Sequence, residues 1–393
     1  MEITGIETIL LGEDFPPEQI QRWNGGAIRG WTAAFVRIHA KGGLSGLGEA
    51  YFGGFVPQMV PPAVDDLSRL LIGEDATRIG YLWRKMSHVT RFWNRHGFGK
   101  SVIAAVDIAL HDLVARSLHV PVYQLLGGLC HPRMRTYASG GCSDSVDVLV
   151  SELRRARDDG FTAFKWRLVE PLQAAPLMDR LRDEAGPDFD LMVDLVQGSA
   201  PQPWSRATVL NVARAIEPYR PFFLEEPFPI DDKDSYRELR ARVNCSIAGG
   251  EGVSSIEEAR AFLHGRAVDV LQPDATIAGG LTQCRTIAAL ALAEHVDIVM
   301  HSWGAAASQM ANLHFSLANP SSTLVEYCRV PSAFRENLFT EPLRIVNGAI
   351  EPPRSHGLGI QLSDDVINRY SYRESPGHSF NWEDHQAVPS VGD

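Results

Sequence analysis

Residues 222–274 read FFLEEPFPIDDKDSYRELRARVNCSIAGGEGVSSIEEARAFLHGRAVDVLQPD: a short apolar run, a longer polar stretch, then the same rhythm twice more. Phe222–Leu224, Ser246–Ala248 and Val268–Leu271 read as buried strands, and Ile256–Leu263 between the last two has helical spacing. Each run ends on an acid: Glu225-Glu226, Glu251 and Asp274. Outward from this stretch the pattern continues. Thr136–Ala138, Ala163–Trp166 and Leu191–Leu195 precede it, and Ile298–Met300 and Thr323–Val325 follow. Helices fit between them at Val146–Asp159, Ala207–Ile216 and Leu281–Glu294. Eight strands, each but the last followed by a helix, predict a closed parallel (β/α)₈ barrel of the TIM type. An open doubly wound sheet is the alternative, but no G-x-G-x-x-G opens a helix to give it a dinucleotide site.

The first third breaks this rhythm. Ile3–Leu10, Ala33–His39 and Gly46–Tyr51 read as strands, with Gly42-Gly43 turning between the last two. Val102, Ile103, Val106, Ala109, Leu110, Leu113 and Val114 form a helical stripe that should end near His119, ahead of Pro121. The expected organisation is an α+β N-terminal capping domain (residues 1–130), a barrel (131–327) and a C-terminal segment (328–393) that packs back on the capping domain and completes it.

The formal net charge of −11 argues against nucleic acid as a partner. Five scattered cysteines without a C-x-x-C pair exclude a disulfide framework and suit a reducing compartment. No uncharged apolar run reaches membrane-spanning length, and Met1-Glu2-Ile3-Thr4 does not open a signal peptide. These features set the expectation of a cytoplasmic protein without a membrane or nucleic-acid partner.

From the second barrel strand onward each strand ends on a polar residue: Lys165 (with Arg167 just beyond), Asp194, Glu225-Glu226, Glu251, Asp274, His301 and Glu326. From Asp194 onward the steps span between 23 and 31 residues, about one βα unit each. A barrel gathers the C-terminal ends of its strands on one face, so these side chains should share a pocket. Singly, an acid at a strand end is more often a helix cap, a lone His a structural one and Lys165 a solvated lysine. Their recurrence in phase with the strands favours function. Asp107 and Asp112, on the earlier helix, are assigned to capping or ion pairing. Three neighbouring carboxylates, Asp194, Glu225 and Glu251, would repel one another unless a hard cation lies between them, and an all-oxygen set suits magnesium better than zinc. Glu226 competes with Glu225 as the third-strand ligand, and alternation does not decide between them. His301 is the natural base, with Asp274 one strand earlier to hold its tautomer. Lys165 serves as a second base if the metal and Arg167 depress its pKa. Arg167 is an anion binder, and Glu326, if protonated, donates to a developing enediolate.

The chain resembles the enolase superfamily, in its mandelate racemase and muconate lactonizing enzyme branch. The resemblance rests on Val106–Gly128 (VDIALHDLVARSLHVPVYQLLGG), Phe223–Pro227 (FLEEP), Ala248–Gly252 (AGGEG), Leu271–Gly280 (LQPDATIAGG) and Val299–Gly304 (VMHSWG). It implies that Asp194, Glu225 and Glu251 bind one Mg²⁺ per site, that Asp274 and His301 are the catalytic dyad, and that Glu326 is the electrophilic acid. Trp303, within the last motif, joins Arg167 as a substrate-binding residue. The loops at Phe15–Gly30 and Tyr51–Phe55 then resemble the family's capping loops. Two departures narrow the activity. Lys165-Trp166-Arg167 stands where the family often has K-x-K with a basic second lysine, and Val196 stands where it often has Asn or a catalytic His.

One strong base suits elimination better than racemisation, which needs a base on each face. The expected activity is therefore Mg-dependent removal of the proton α to a carboxylate and dehydration of an acid sugar to a 2-keto-3-deoxy acid. A racemase, epimerase or cycloisomerase is the alternative, and a non-catalytic acid-binding protein is a third reading. The partner is a small carboxylate, and such enzymes are commonly symmetric homo-oligomers.

Overall fold

A computed structural model describes residues 1–23, 26–143, 145–373 and 378–379. The capping domain is an antiparallel sheet of β1 (Ile3–Asp14), β2 (Gly30–Ala40) and β3 (Ser45–Ala50) in that order, covered by helices α1 (Val60–Leu71), α2 (Ile79–Val89) and α3 (Phe98–Ser117). β3 is the link to the site. A Cβ at Gly48 would lie 1.9 Å from the Ala105 carbonyl oxygen, and one at Gly46 would lie 2.2 Å from that of Ala109. Only glycine lets α3 lie backbone-close on this strand, which fixes the direction in which Glu49 and Tyr51 leave it.

The stripe foreseen on α3 is fully buried, but so is the opposite face, because the helix lies between the capping sheet and the barrel. Asp107 and Asp112 on this helix act as expected, one towards the barrel and one towards the capping sheet and the C-terminal segment. Asp107 accepts the Thr282 N–H (3.0 Å) at the start of a barrel helix, and Asp112 pairs with Arg116 (2.8 Å) while accepting the Leu47 and Leu358 N–H groups.

The barrel strands are β4 (Met134–Ser139), β5 (Ala163–Arg167), β6 (Asp190–Asp194), β7 (Phe223–Glu225), β8 (Ser246–Gly249), β9 (Val270–Leu271), β10 (Asp297–Met300) and β11 (Ser322–Cys328). They run parallel in sequence order, and β11 pairs with β4 to close the ring, so the open-sheet alternative fails. One side chain from each strand fills the interior: Tyr137, Ala163, Met192, Phe223, Ala248, Val270, Val299 and Leu324. Side chains alternate across a strand, so the next inward position lies two residues further towards the C-terminal mouth. Those positions are Ser139, Lys165, Asp194, Glu225, Gly250, Gln272, His301 and Glu326. A polar layer thus rests on an apolar plug, as the pleat dictates.

The C-terminal segment does more than cover the capping domain. Tyr370 and Tyr372 bond the backbone of β1, and Arg37 Nη2 reaches the Leu362 carbonyl. Ala349–Ile350 also adds an antiparallel pairing to β4 of the barrel. The Phe15–Gly30 loop contains two short paired strands, Gln21–Trp23 and Gly26–Ile28. Asn24, Gly25 and residues 380–393 lie outside the described residues. All five cysteines are free, and among the described residues no helix is long and apolar enough to cross a membrane.

Candidate active site

A cavity of about 520 Å³ opens at the barrel mouth beneath Tyr51–Val56 of the capping domain. Arg167, Asp194, Glu226, Glu251, His301 and Trp303 are among its walls. Barrel residues from Arg167 to Trp303 in sequence are thereby brought together by strand phase.

The dyad is assembled. His301 Nδ1 lies 2.9 Å from Asp274 Oδ2. The other oxygen, Oδ1, accepts from Thr276 N (2.7 Å), Thr276 Oγ1 (2.6 Å) and Asn312 Nδ2 (3.0 Å), so the carboxylate cannot turn away from the imidazole. The free nitrogen, Nε2, is 3.6 Å from Glu251 Oε2 and 3.9 Å from Glu326 Oε2. Burial alone would depress the imidazole, but the charges of Glu251, Glu326 and Asp274 outweigh it and lift the pKa to about 9.

Glu225 points inward in phase with Phe223, where it pairs with Lys165 and accepts Gln272 Nε2 at 2.7 Å. Burial pushes its carboxyl up to about 8 against the pull of Lys165, with Asp194, Glu326 and Glu251 adding repulsion. Glu226 leaves the strand at φ +43° and faces the cavity, so the two acids occupy different places. Burial and the neighbouring Glu251 and Asp194 hold Glu226 well above the usual carboxylate range. Val196 also has positive φ (+51°), which is unusual for a β-branched residue. Its N–H donates to Asp194 Oδ1 at 2.9 Å, so the strained turn and the aim of Asp194 are one feature.

Lys165 is enclosed below the cavity rather than open to it. Its ammonium is fully buried between Glu225, Glu326 (2.9 Å) and Asp194 (3.7 Å), and it does not line the cavity. Burial opposes the charge, but Glu225 and Glu326 outweigh it and hold the pKa well above the ordinary lysine value. Glu326 is the other half of the same pair. Burial would raise its carboxyl, yet Lys165, His301 and the Ser302 N–H (2.8 Å) hold it well below the usual range. Arg167 does face the cavity, with its guanidinium 4.0 Å over the Trp303 ring and Nη1 donating to the Gly140 carbonyl at 2.6 Å.

Six carboxylates (Asp194, Glu225, Glu226, Glu251, Asp274, Glu326) crowd this mouth against two permanent cations, Lys165 and Arg167. That excess of negative charge, and an all-oxygen donor set, fit a hard divalent ion. Among the described residues no three acidic, histidine or cysteine side chains meet at metal-ligand spacing; Lys165 and Gln272 engage Glu225, and the Val196 N–H engages Asp194.

Sequence reasoning passed over Gln272, Asn312 and Glu49, and left Glu226 unranked against Glu225. Gln272 was findable, being two positions beyond Val270 in the strand's own phase. Glu226 gave no signal of its left-handed backbone. Asn312 orients Asp274 from a helix. Glu49, from β3, accepts the Ala305 and Ser308 N–H groups (2.6 and 3.0 Å) at the start of helix α4 (Ala306–Ala318), just past His301. Burial pushes Glu49 up to about 7 despite those bonds. Of the two foreseen capping loops, Tyr51–Phe55 reaches the cavity. Among the described residues, Phe15–Gly30 contributes no wall.

Comparison with known proteins places these features in context. Residues 148–366 match the family "Enolase C-terminal domain-like", and residues 18–127 match "Mandelate racemase / muconate lactonizing enzyme, N-terminal domain". The D-galactonate dehydratase of Ralstonia pickettii is 30% identical over 370 residues, covering 87% of this chain and 91% of that protein. The 3,6-anhydro-D-galactonate cycloisomerase from Zobellia galactanivorans superposes with a TM-score of 0.86 at 27% identity, covering 95% and 100% of the two chains. A racemase from Streptomyces coelicolor A3(2), solved with bound magnesium, gives 0.84 at 27% identity over 94% and 100%.

Proposed function

Because the chain belongs to the enolase superfamily, in its mandelate racemase and muconate lactonizing enzyme branch, we propose that it dehydrates an acid sugar with magnesium as cofactor. The overall change is R–CHOH–CHOH–CO₂⁻ to R–CH₂–CO–CO₂⁻ plus water. The observation that carries this reading is a single His–Asp dyad opening on the cavity, with Lys165 enclosed below and an arginine, too basic to take a proton, on the wall.

Asp194, Glu225 and Glu251 would hold the magnesium ion, which when bound supplies positive charge to the substrate carboxylate and to the enediolate. His301 Nε2 takes the α-proton in its neutral form, which a bound magnesium ion would favour by neutralising Glu251 beside it, while Asp274 fixes the Nδ1–H tautomer and stabilises the imidazolium. The electron pair left at Cα expels the β-hydroxide, and His301 returns its proton so that water leaves. The resulting enol takes a proton from solvent at C3 and becomes the 2-keto-3-deoxy acid. Arg167 binds an anionic oxygen of the substrate, its plane held by Trp303. Lys165 remains an ammonium that balances Glu225 and Glu326.

The test is proton NMR of the magnesium-loaded protein in D₂O with a library of mono- and diacid sugars. A new, partly deuterated CH₂ beside a ketone is expected. Loss of the α-proton signal with the carbon skeleton intact would replace this reading with racemisation or epimerisation.

A further inference from the structure

The charged groups of the cavity wall come from the C-terminal ends of the barrel strands. Arg167, Asp194, Glu226, Glu251 and His301 are the charged groups of its wall, and they can serve the carboxylate and the oxygens on C2 and C3. The rest of the wall is largely apolar: Tyr51, Phe52 and Phe55 from the capping domain and Ile230, Ile277 and Trp303 from the barrel loops, with Trp303 lying under Arg167. The Tyr51 ring centroid lies 5.7 Å from those of Phe52 and Phe55 and 5.8 Å from that of His301, so this aromatic face begins directly beside the base. Val196, next to the first acid, adds another apolar wall. Among the described residues, Ser199 and the Tyr51 phenol are the neutral side-chain hydroxyls available there.

A polyhydroxylated tail would surrender water to these walls and gain few hydrogen bonds in return, whereas an alkyl or aryl tail gains from the same contact. Resting on the dehydratase reading above, we propose that the preferred substrate is a deoxygenated acid sugar or its aryl analogue: a 2,3-dihydroxy acid whose chain beyond C3 is apolar. The two hydroxyls that the elimination uses are retained, and the remainder of the chain is recognised by the aromatic and aliphatic face.

The experiment compares kcat/KM of the magnesium-loaded full chain on D-galactonate and D-gluconate with the stereoisomers of 2,3-dihydroxyhexanoate and of 2,3-dihydroxy-3-phenylpropanoate. At least one apolar-tailed acid is expected to exceed both hexonates by about 100-fold, the scale of discrimination that a single hydroxyl commands in a hydrophobic pocket. A hexonate turned over as well as or better than every apolar-tailed acid overturns the proposal. Val196→Asn should narrow the gap by roughly tenfold by adding a polar wall, and asparagine tolerates φ +51° better than valine, so the fold should be retained. An unchanged gap in that variant removes Val196 from the specificity surface and overturns that part of the proposal. If no acid of the panel reacts, the dehydratase reading fails separately. Calorimetry of 2-hydroxyhexanoate against D-gluconate then decides the cavity's preference: tighter binding of the apolar-tailed acid sustains it, and equal or weaker binding overturns it.

Discussion

His301 and His314 sit at opposite ends of one short stretch of chain, both buried, yet their environments push them in opposite directions. At the barrel mouth three carboxylates surround His301 and lift it to about 9. On the inner face of α4, His314 accepts the Tyr123 N–H at Nδ1, faces the Leu358 carbonyl with Nε2, and is driven down to about 4 by burial. Its ring stacks on Tyr123 at 5.6 Å and serves as a neutral spacer between helix and tail. Burial alone therefore makes a histidine inert. What makes one a proton carrier is the set of carboxylates that the barrel's strand phase brings to it.

The largest break in this contrast should come from Asp274→Asn. Removing the charge and presenting an amide to Nδ1 favours the wrong tautomer, and kcat should fall by about 10³–10⁴ while His314 titrates unchanged by NMR. A fall of less than tenfold would mean that Asp274 does not set the tautomer.

Next is the stability conferred by neutral His314. Its folded pKa, about 4, lies below the unfolded value near 6.5, so the unfolded chain binds the extra proton first. This contribution is complete above pH 6.5 and is lost as the pH falls through 4, by on the order of 3 kcal/mol. Urea unfolding at pH 7.5 and 4.5 should show that loss in the native protein and not in His314→Gln.

The smallest effect concerns Glu49, a buried carboxylate raised from 4.5 to about 7. Its protonated form is favoured in the fold, so its contribution is full below pH 4.5 and is lost as the pH rises through 7. Relative to the native protein, Glu49→Gln should gain on the order of 2 kcal/mol between pH 5 and pH 7. No pH-dependent difference in the unfolding midpoint would mean that the Ala305 and Ser308 N–H groups fully offset the burial.

The barrel was legible in the sequence because every strand was a short apolar run, each but the last with a helix behind it, and seven strand ends carried polar residues in step. The dyad followed from the same phase. The enclosure of Lys165 was not legible, because Glu225 and Glu326 become its neighbours only once the ring closes. Glu225 and Glu226 could not be ranked without the positive φ that turns Glu226 out of the strand. Glu49 lies 256 residues from Ala305, and no local pattern announces a capping-domain side chain on a barrel helix. The α3 stripe showed one buried face, but the second depends on where the barrel docks.

The most direct test of His301 as the base is α-proton exchange by the magnesium-loaded His301→Asn variant in D₂O, with magnesium affinity measured in parallel by calorimetry. Exchange should be abolished while magnesium binding stays nearly intact. Persistent exchange would contradict the account and make Lys165 the principal base.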